Sequence, residues 1–133
     1  MSNLEQFEVV TNANDGVKMP VIRPDTGEEW VEDSGPVTVT VYGVDSKEFE
    51  KITKEHSEKA MKAMRTRQMP SANENEIERC VRLTKSWENI GDSTGDLEFN
   101  FKNAKKIYTS CPWLRDQILN FAGDRSNYFR GDD

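Results

Sequence analysis

Hydrophobic and polar residues alternate singly only in the first third of this chain; beyond it, apolar residues recur at helical spacing. Residues 37–43, VTVTVYG, put Val37, Val39 and Val41 on one side and Thr38, Thr40 and Tyr42 on the other, the period-two signature of a strand. Residues 17–24, VKMPVIRP, alternate in part, and Pro20 confines them to a sheet edge. PDTG at 24–27 and DSGP at 33–36 are turn signals on either side of GEEWV. A strand needs neighbours, so 17–24 and 28–32 are predicted to flank 37–43 in a small antiparallel sheet.

After Gly43 the period changes. Asp45 with Glu48 reads as a capping box. Phe49, Ile52, His56, Ala60 and Ala63 or Met64 then form one apolar stripe on a helix of about six turns. Its other face is charged, with Glu50–Lys54, Glu55–Lys59 and Glu58–Lys62 spaced as i,i+4 pairs. Pro70 breaks the pattern, and Ser71 and Asn73 are capping types. A second helix is predicted from about Glu74 to Trp87, carrying Ile77, Cys80, Val81, Thr84 and Trp87 inward. GDSTGD at 91–96 is a turn cluster. A third helix follows near 101–110 with Ala104, Ile107 and Tyr108. Pro112 opens a last helix, at a position where its missing N–H costs nothing, with Leu114, Ile118 and Phe121 on the apolar face.

The pattern predicts an α+β fold: a small N-terminal antiparallel β-sheet followed by a bundle of about four α-helices, the last two an antiparallel pair. One domain is expected over 1–133, β-rich at 17–43 and helical at 45–129, with 1–15 and 130–133 loosely ordered. The predicted core is Val39, Val41, Phe49, Ile52, Ile77, Val81, Trp87, Ile107, Leu114, Ile118 and Phe121.

Charge narrows the function classes. Hydrophobic residues make up 35% and charged residues 32% of the 133, and the net charge is −6. That balance opposes binding to nucleic acid or to anionic membrane surfaces, both of which need Lys and Arg. No apolar run approaches the ~20 residues of a membrane span, and the start, MSNLEQFEVV, lacks the regions of a signal peptide. Cytoplasmic residence is therefore expected. Cys80 and Cys111 then read as reduced small apolar residues, a disulfide being the alternative.

Candidate chemistry is sparse. The single histidine, His56, lies on an apolar stripe and reads as a core or boundary imidazole. The carboxylates are scattered among lysines, ENENE at 74–78 suits a helix start, and Asp92, Ser93 and Asp96 fall short of a calcium loop. RTR at 65–67 suits a helix end. No nucleophile elbow, phosphate loop or dinucleotide fingerprint occurs, so neither enzyme activity, catalytic residue, cofactor nor metal is expected.

Over residues 36–130 the order of elements resembles the tail assembly chaperones of long, flexible-tailed bacteriophages. The matching stretches are the valine-rich strand closing in Gly43-Val44-Asp45-Ser46, a long charged helix, a helix ending in Lys85-Ser86-Trp87, and Leu97-Glu98-Phe99 with Asn103-Ala104 and Tyr108. The strongest are Pro112-Trp113-Leu114-Arg115-Asp116-Gln117-Ile118 at the start of the last helix and Asp124-Arg125-Ser126-Asn127-Tyr128-Phe129 at its end. The resemblance implies a protein of the host cytoplasm that binds the tape measure protein, a very long helical chain. It would keep that chain soluble until tail tube protein assembles around it, and would be absent from the mature virion. The tail tube protein is a further possible partner, and homo-oligomers are compatible. The alternatives are a structural minor tail or head–tail component and a small cytoplasmic protein-binding regulator.

A protein-binding role directs attention to apolar side chains able to reach a partner. Met61, Met64 and Met69 are deformable groups near a helix end that read first as core, and are kept as contact candidates. Trp30, between acidic residues at a turn, is the tryptophan expected to be exposed. Trp87 and Trp113 read first as core, with Trp113 kept as a contact candidate.

Overall fold

A computed structural model of the chain describes residues 7–68 and 71–130. Its centre is a three-stranded antiparallel sheet in the order β1 (Val17–Pro20), β4 (Thr38–Val41), β5 (Thr84–Glu88). The alternating valines make β4 as the sequence predicts, and β1 pairs with it from Val17 opposite Val41 to Pro20 opposite Thr38. Pro20 sits on the edge strand, where no ladder donor is missed. All four β4 residues are buried. Val39 and Val41 face the helices, whereas Thr38 and Thr40 lie beneath an ion pair: Lys18 on β1 reaches Glu88 on β5 at 3.1 Å, arching over the central strand.

The second neighbour of β4 is not the predicted one. Residues 28–32 fold into a small hairpin instead, β2 (Val31–Glu32) against β3 (Gly35–Pro36). The vacant edge of β4 is filled by residues that the sequence pattern had assigned to the second helix. That helix, α3, runs Ala72–Leu83 and stops there, and Thr84–Glu88 continues as β5. The ladder slips between Thr40 and Val41: Val41 faces Thr84 and Thr40 faces Ser86, leaving Lys85 as a bulge. The bulge returns Thr84 and Trp87 to one buried face at a spacing of three, which in sequence imitates a helical stripe.

The remaining elements are α1 (Val9–Asp15), α2 (Lys47–Thr66), the hairpin β6–β7 (Gly91–Asp92, Gly95–Asp96), α4 (Phe101–Ser110), α5 (Pro112–Gly123) and a 3-10 turn at Arg125–Tyr128. Helix α2 is capped by Ser46, whose hydroxyl accepts from the Phe49 amide at 3.1 Å, rather than by Asp45. Asp45 instead holds the Arg125 guanidinium through bonds of 2.8 and 3.0 Å. Ser71 caps α3 and Asn100 caps α4 in the same way as Ser46. Helices α4 and α5 are joined through Cys111 alone, and each packs more extensively on α3 than on the other. Asp124 ends α5 and caps the 3-10 turn, so Asp124–Phe129 follows the last helix and is not its final turn.

Residues 9–15, for which the sequence suggested no regular element, form α1, which is anchored at several points. Asn12 donates to the Tyr128 carbonyl at 2.7 Å, Gly43 donates to the Ala13 carbonyl at 3.2 Å, and Asn14 accepts from the Lys47 amide at 2.8 Å. Ala13, Val17 and Tyr128 form a small cluster beside the main core, and the Tyr128 hydroxyl donates to the Val41 carbonyl. Gly16 turns the chain from α1 into β1 at φ +84°, and a Cβ there would lie 2.9 Å from Thr40 Cγ2. Residues 1–6 and 131–133 lie outside the described residues.

Val39, Val41, Ile52, Val81, Trp87, Ile107, Leu114 and Ile118 are buried as predicted, whereas Phe49, Ile77 and Phe121 are partly exposed at the margin of the core. Phe49 is capped by the Arg79 guanidinium, 5.4 Å from its ring. The fold is of the mixed α+β class. Among the described residues no helix is long and apolar enough to cross a membrane.

Candidate functional site

The segment that leaves β1 and helix α5 are clamped together by one side chain. Gln117 accepts from the Ile22 amide at 2.9 Å and donates to the Ile22 carbonyl at 2.8 Å, satisfying an edge backbone as a neighbouring strand would. Just beyond, the Trp30 amide donates to the Val21 carbonyl at 2.8 Å and its carbonyl accepts from the Val37 amide at 2.9 Å. This fold-back sets Trp30 over α5, one turn before Gln117, where it meets Trp113. The two indoles stack at 6.2 Å between centroids with 17° between planes.

Beside the stacked pair lies a cleft of about 150 Å³. Val21, Val37, Ile90 and Leu114 form its buried floor and the two tryptophans its wall. Polar atoms are confined to the rim and are mostly engaged already. Glu32 accepts from Trp30 Nε1 at 2.8 Å. Asn89, in the left-handed region at φ +61°, accepts from the Ser34 hydroxyl at 2.7 Å and donates to the Pro36 carbonyl at 2.8 Å. Arg23 lies 5.0 Å from the Trp30 ring centre and pairs with Asp25. The Cys111 thiol also lines the cleft, but burial pushes its pKa up, so it stays protonated. Such a lining, mostly apolar side chains, suits an apolar group.

The opposite rim is the β6–β7 hairpin. Gly91 is required there, since a Cβ would collide with the Gly95 backbone. Lys106 and Thr94 hold the Asp92 carboxyl well below the usual carboxylate range. Among the described residues no group of three His, Cys, Asp or Glu is placed to hold a metal ion.

Of the predicted contact residues, Trp30 and Trp113 come together here. Trp30, expected to be exposed, is half-buried by Trp113, and Trp113 is itself only partly buried. Met61 and Met64 stand exposed on α2, do not fill the core and do not line the cleft. Met69 lies outside the described residues. No periodicity marks Gln117 and Asn89, whose hydrogen bonds hold the segments around the cleft. Gln117 occurs within the Pro112–Ile118 match, but only the fold shows what it grips.

His56 lies between α2 and α3 with its side chain 9% exposed. Its Nε2 is 3.6 Å from Glu78, beyond hydrogen-bond range, and its Nδ1 is 3.4 Å from Arg79 Nη2. Burial lowers its pKa, with Glu78 partly opposing. Alongside, Arg82 binds Glu48 at 3.1 Å and also Glu55, so carboxylates of α2 form their close ion pairs across to α3. The setting is a helix–helix boundary. Cys80 is free and buried, its thiol pushed up to about 12 by desolvation.

Comparison of the chain with family models, with curated proteins and with solved structures returned no match.

Proposed function

We propose that this protein is a tail assembly chaperone of a long, flexible-tailed bacteriophage. In this reading it acts in the host cytoplasm, holds apolar helical segments of the tape measure protein until tail tube protein surrounds them, and leaves before the virion matures. The observation that carries the reading is the tryptophan-walled cleft, which offers an apolar seat on an otherwise acidic, highly charged molecule. A chain with exposed apolar helical stripes aggregates unless those stripes are covered. A seat for single side chains covers them reversibly, and many copies along one long chain supply avidity without tight individual contacts. The resemblance over residues 36–130 supplies the biological setting.

The test is co-expression with the product of the very long reading frame expected next to this gene. The proposal expects that product to move from the insoluble to the soluble fraction and to co-purify with this protein. Unchanged solubility contradicts it.

A further inference from the structure

The two hairpin segments that flank the cleft carry charged residues of one sign only. Residues 24–36, which lead into and include the first hairpin, contain Asp25, Glu28, Glu29, Glu32 and Asp33 and no Lys or Arg. Residues 88–98, which run from the end of β5 through the second hairpin, contain Glu88, Asp92, Asp96 and Glu98 and again no cation. Cations from elsewhere reach three of these carboxylates: Arg23 meets Asp25, Lys18 meets Glu88, and Lys106 meets Asp92. Glu32, Asp33 and Asp96 have no ion-pair partner among the described residues. Together with Asn89 and Asp92 they line a second depression, about 390 Å³, which shares Glu32, Asn89 and Gly91 with the tryptophan cleft. An apolar socket and an acidic basin therefore meet along one edge.

We infer that this composite surface seats a segment of another protein in which one large apolar side chain, aromatic or leucine-like, is flanked by lysine or arginine. The inference deepens the chaperone proposal and rests on its premise that the protein binds a partner chain. The socket matches one such side chain, because a cavity of about 150 Å³ accommodates a benzene-sized ring. The adjoining carboxylates select the flanks. Exposed charge pairs contribute modestly to affinity, but they set orientation and exclude acidic competitors. An acidic peptide would face Glu32, Asp33 and Asp96 without compensation.

The experiment uses fluorescein-labelled peptides, read by anisotropy against the full chain. One carries a phenylalanine flanked by lysines, a second the same residue flanked by glutamates, and a third the lysine flanks with serine in place of phenylalanine. Only the first is expected to bind, and more weakly as salt is raised. Asp33→Asn with Asp96→Asn should weaken it by about threefold to tenfold, whereas Glu50→Gln with Glu58→Gln, an equal charge change on α2, should leave it unchanged. Equal binding of the glutamate-flanked or serine peptide overturns the inference, as does an equal loss from the α2 variant or no binding at all. Self-association that competes with the peptide would make a second copy of the chain the occupant and also overturn it. The two proposals fail separately: solubilised tape measure protein without peptide selectivity removes only this inference, and peptide selectivity without solubilisation removes only the chaperone assignment.

Discussion

The role of Arg115 is set by the fold and leaves no mark in the sequence. The residue lies in a stretch that resembles known proteins, yet nothing in its spacing marks it as buried. In the fold it is 6% exposed, donates to the Tyr108 carbonyl at 2.6 Å near the end of α4, and pairs with Glu76 of α3 at 3.1 Å. One guanidinium therefore joins three helices and satisfies a terminal carbonyl that would otherwise be buried alone. Arg115→Ala should cost about 2–4 kcal/mol, measured by urea unfolding. Gln117 is the second such residue. Gln117→Ala should cost about 1–2 kcal/mol through its two bonds to Ile22. It should also speed hydrogen exchange at the Ile22 amide, and an unchanged rate there would show that the clamp is not needed.

At the scale of elements, β4, α4 and the start of α5 were legible because each has an uninterrupted period and a clear punctuation mark: Asp-Ser-Gly-Pro before the strand, the turn cluster at 91–96 before α4, Pro112 at α5. β5 was not, because its bulge gives Thr84 and Trp87 a helical spacing and no breaker separates them from α3. The deciding influence was the open edge of β4, a tertiary effect invisible along the chain. α1 was missed because its short polar sequence has no apolar stripe and is held by Tyr128 and Gly43 from elsewhere. β4, hydrogen-bonded on both sides, should contain the slowest-exchanging sheet amides, and the two-residue ladders β2–β3 and β6–β7 the fastest.

The α2–α3 boundary makes a further prediction at this scale. His56, faced by Glu78 and Arg79 from α3 and by Lys59 from α2, has a folded pKa below its ordinary value. The unfolded chain thus takes up the proton first, and stability should fall as pH drops below about 6.5 toward the folded pKa. The carboxylates held low by partners, Glu55 and Asp92 among them, weaken the fold only at more acidic pH, below about 5. His56→Gln should flatten the stability profile between about pH 5 and 6.5. A profile that keeps its slope in the variant would assign the effect elsewhere.

For the molecule as a whole, the candidate contact residues were individually legible and their arrangement was not. Trp30 and Trp113 stood out as large apolar groups, but their meeting depends on the fold-back of residues 28–37 and on the Gln117 clamp. The acidic rim was likewise visible only as scattered charge until the two hairpins were placed side by side. The methionines of α2 are exposed on a separate element and offer a different place for a partner to sit. Hydrogen–deuterium exchange of the protein with and without the proposed tape measure partner distinguishes the two surfaces. The account predicts that protection gathers at residues 28–37, 88–96 and the start of α5. Protection confined to Met61, Met64 and the rest of α2, with the tryptophan cleft unchanged, would contradict it.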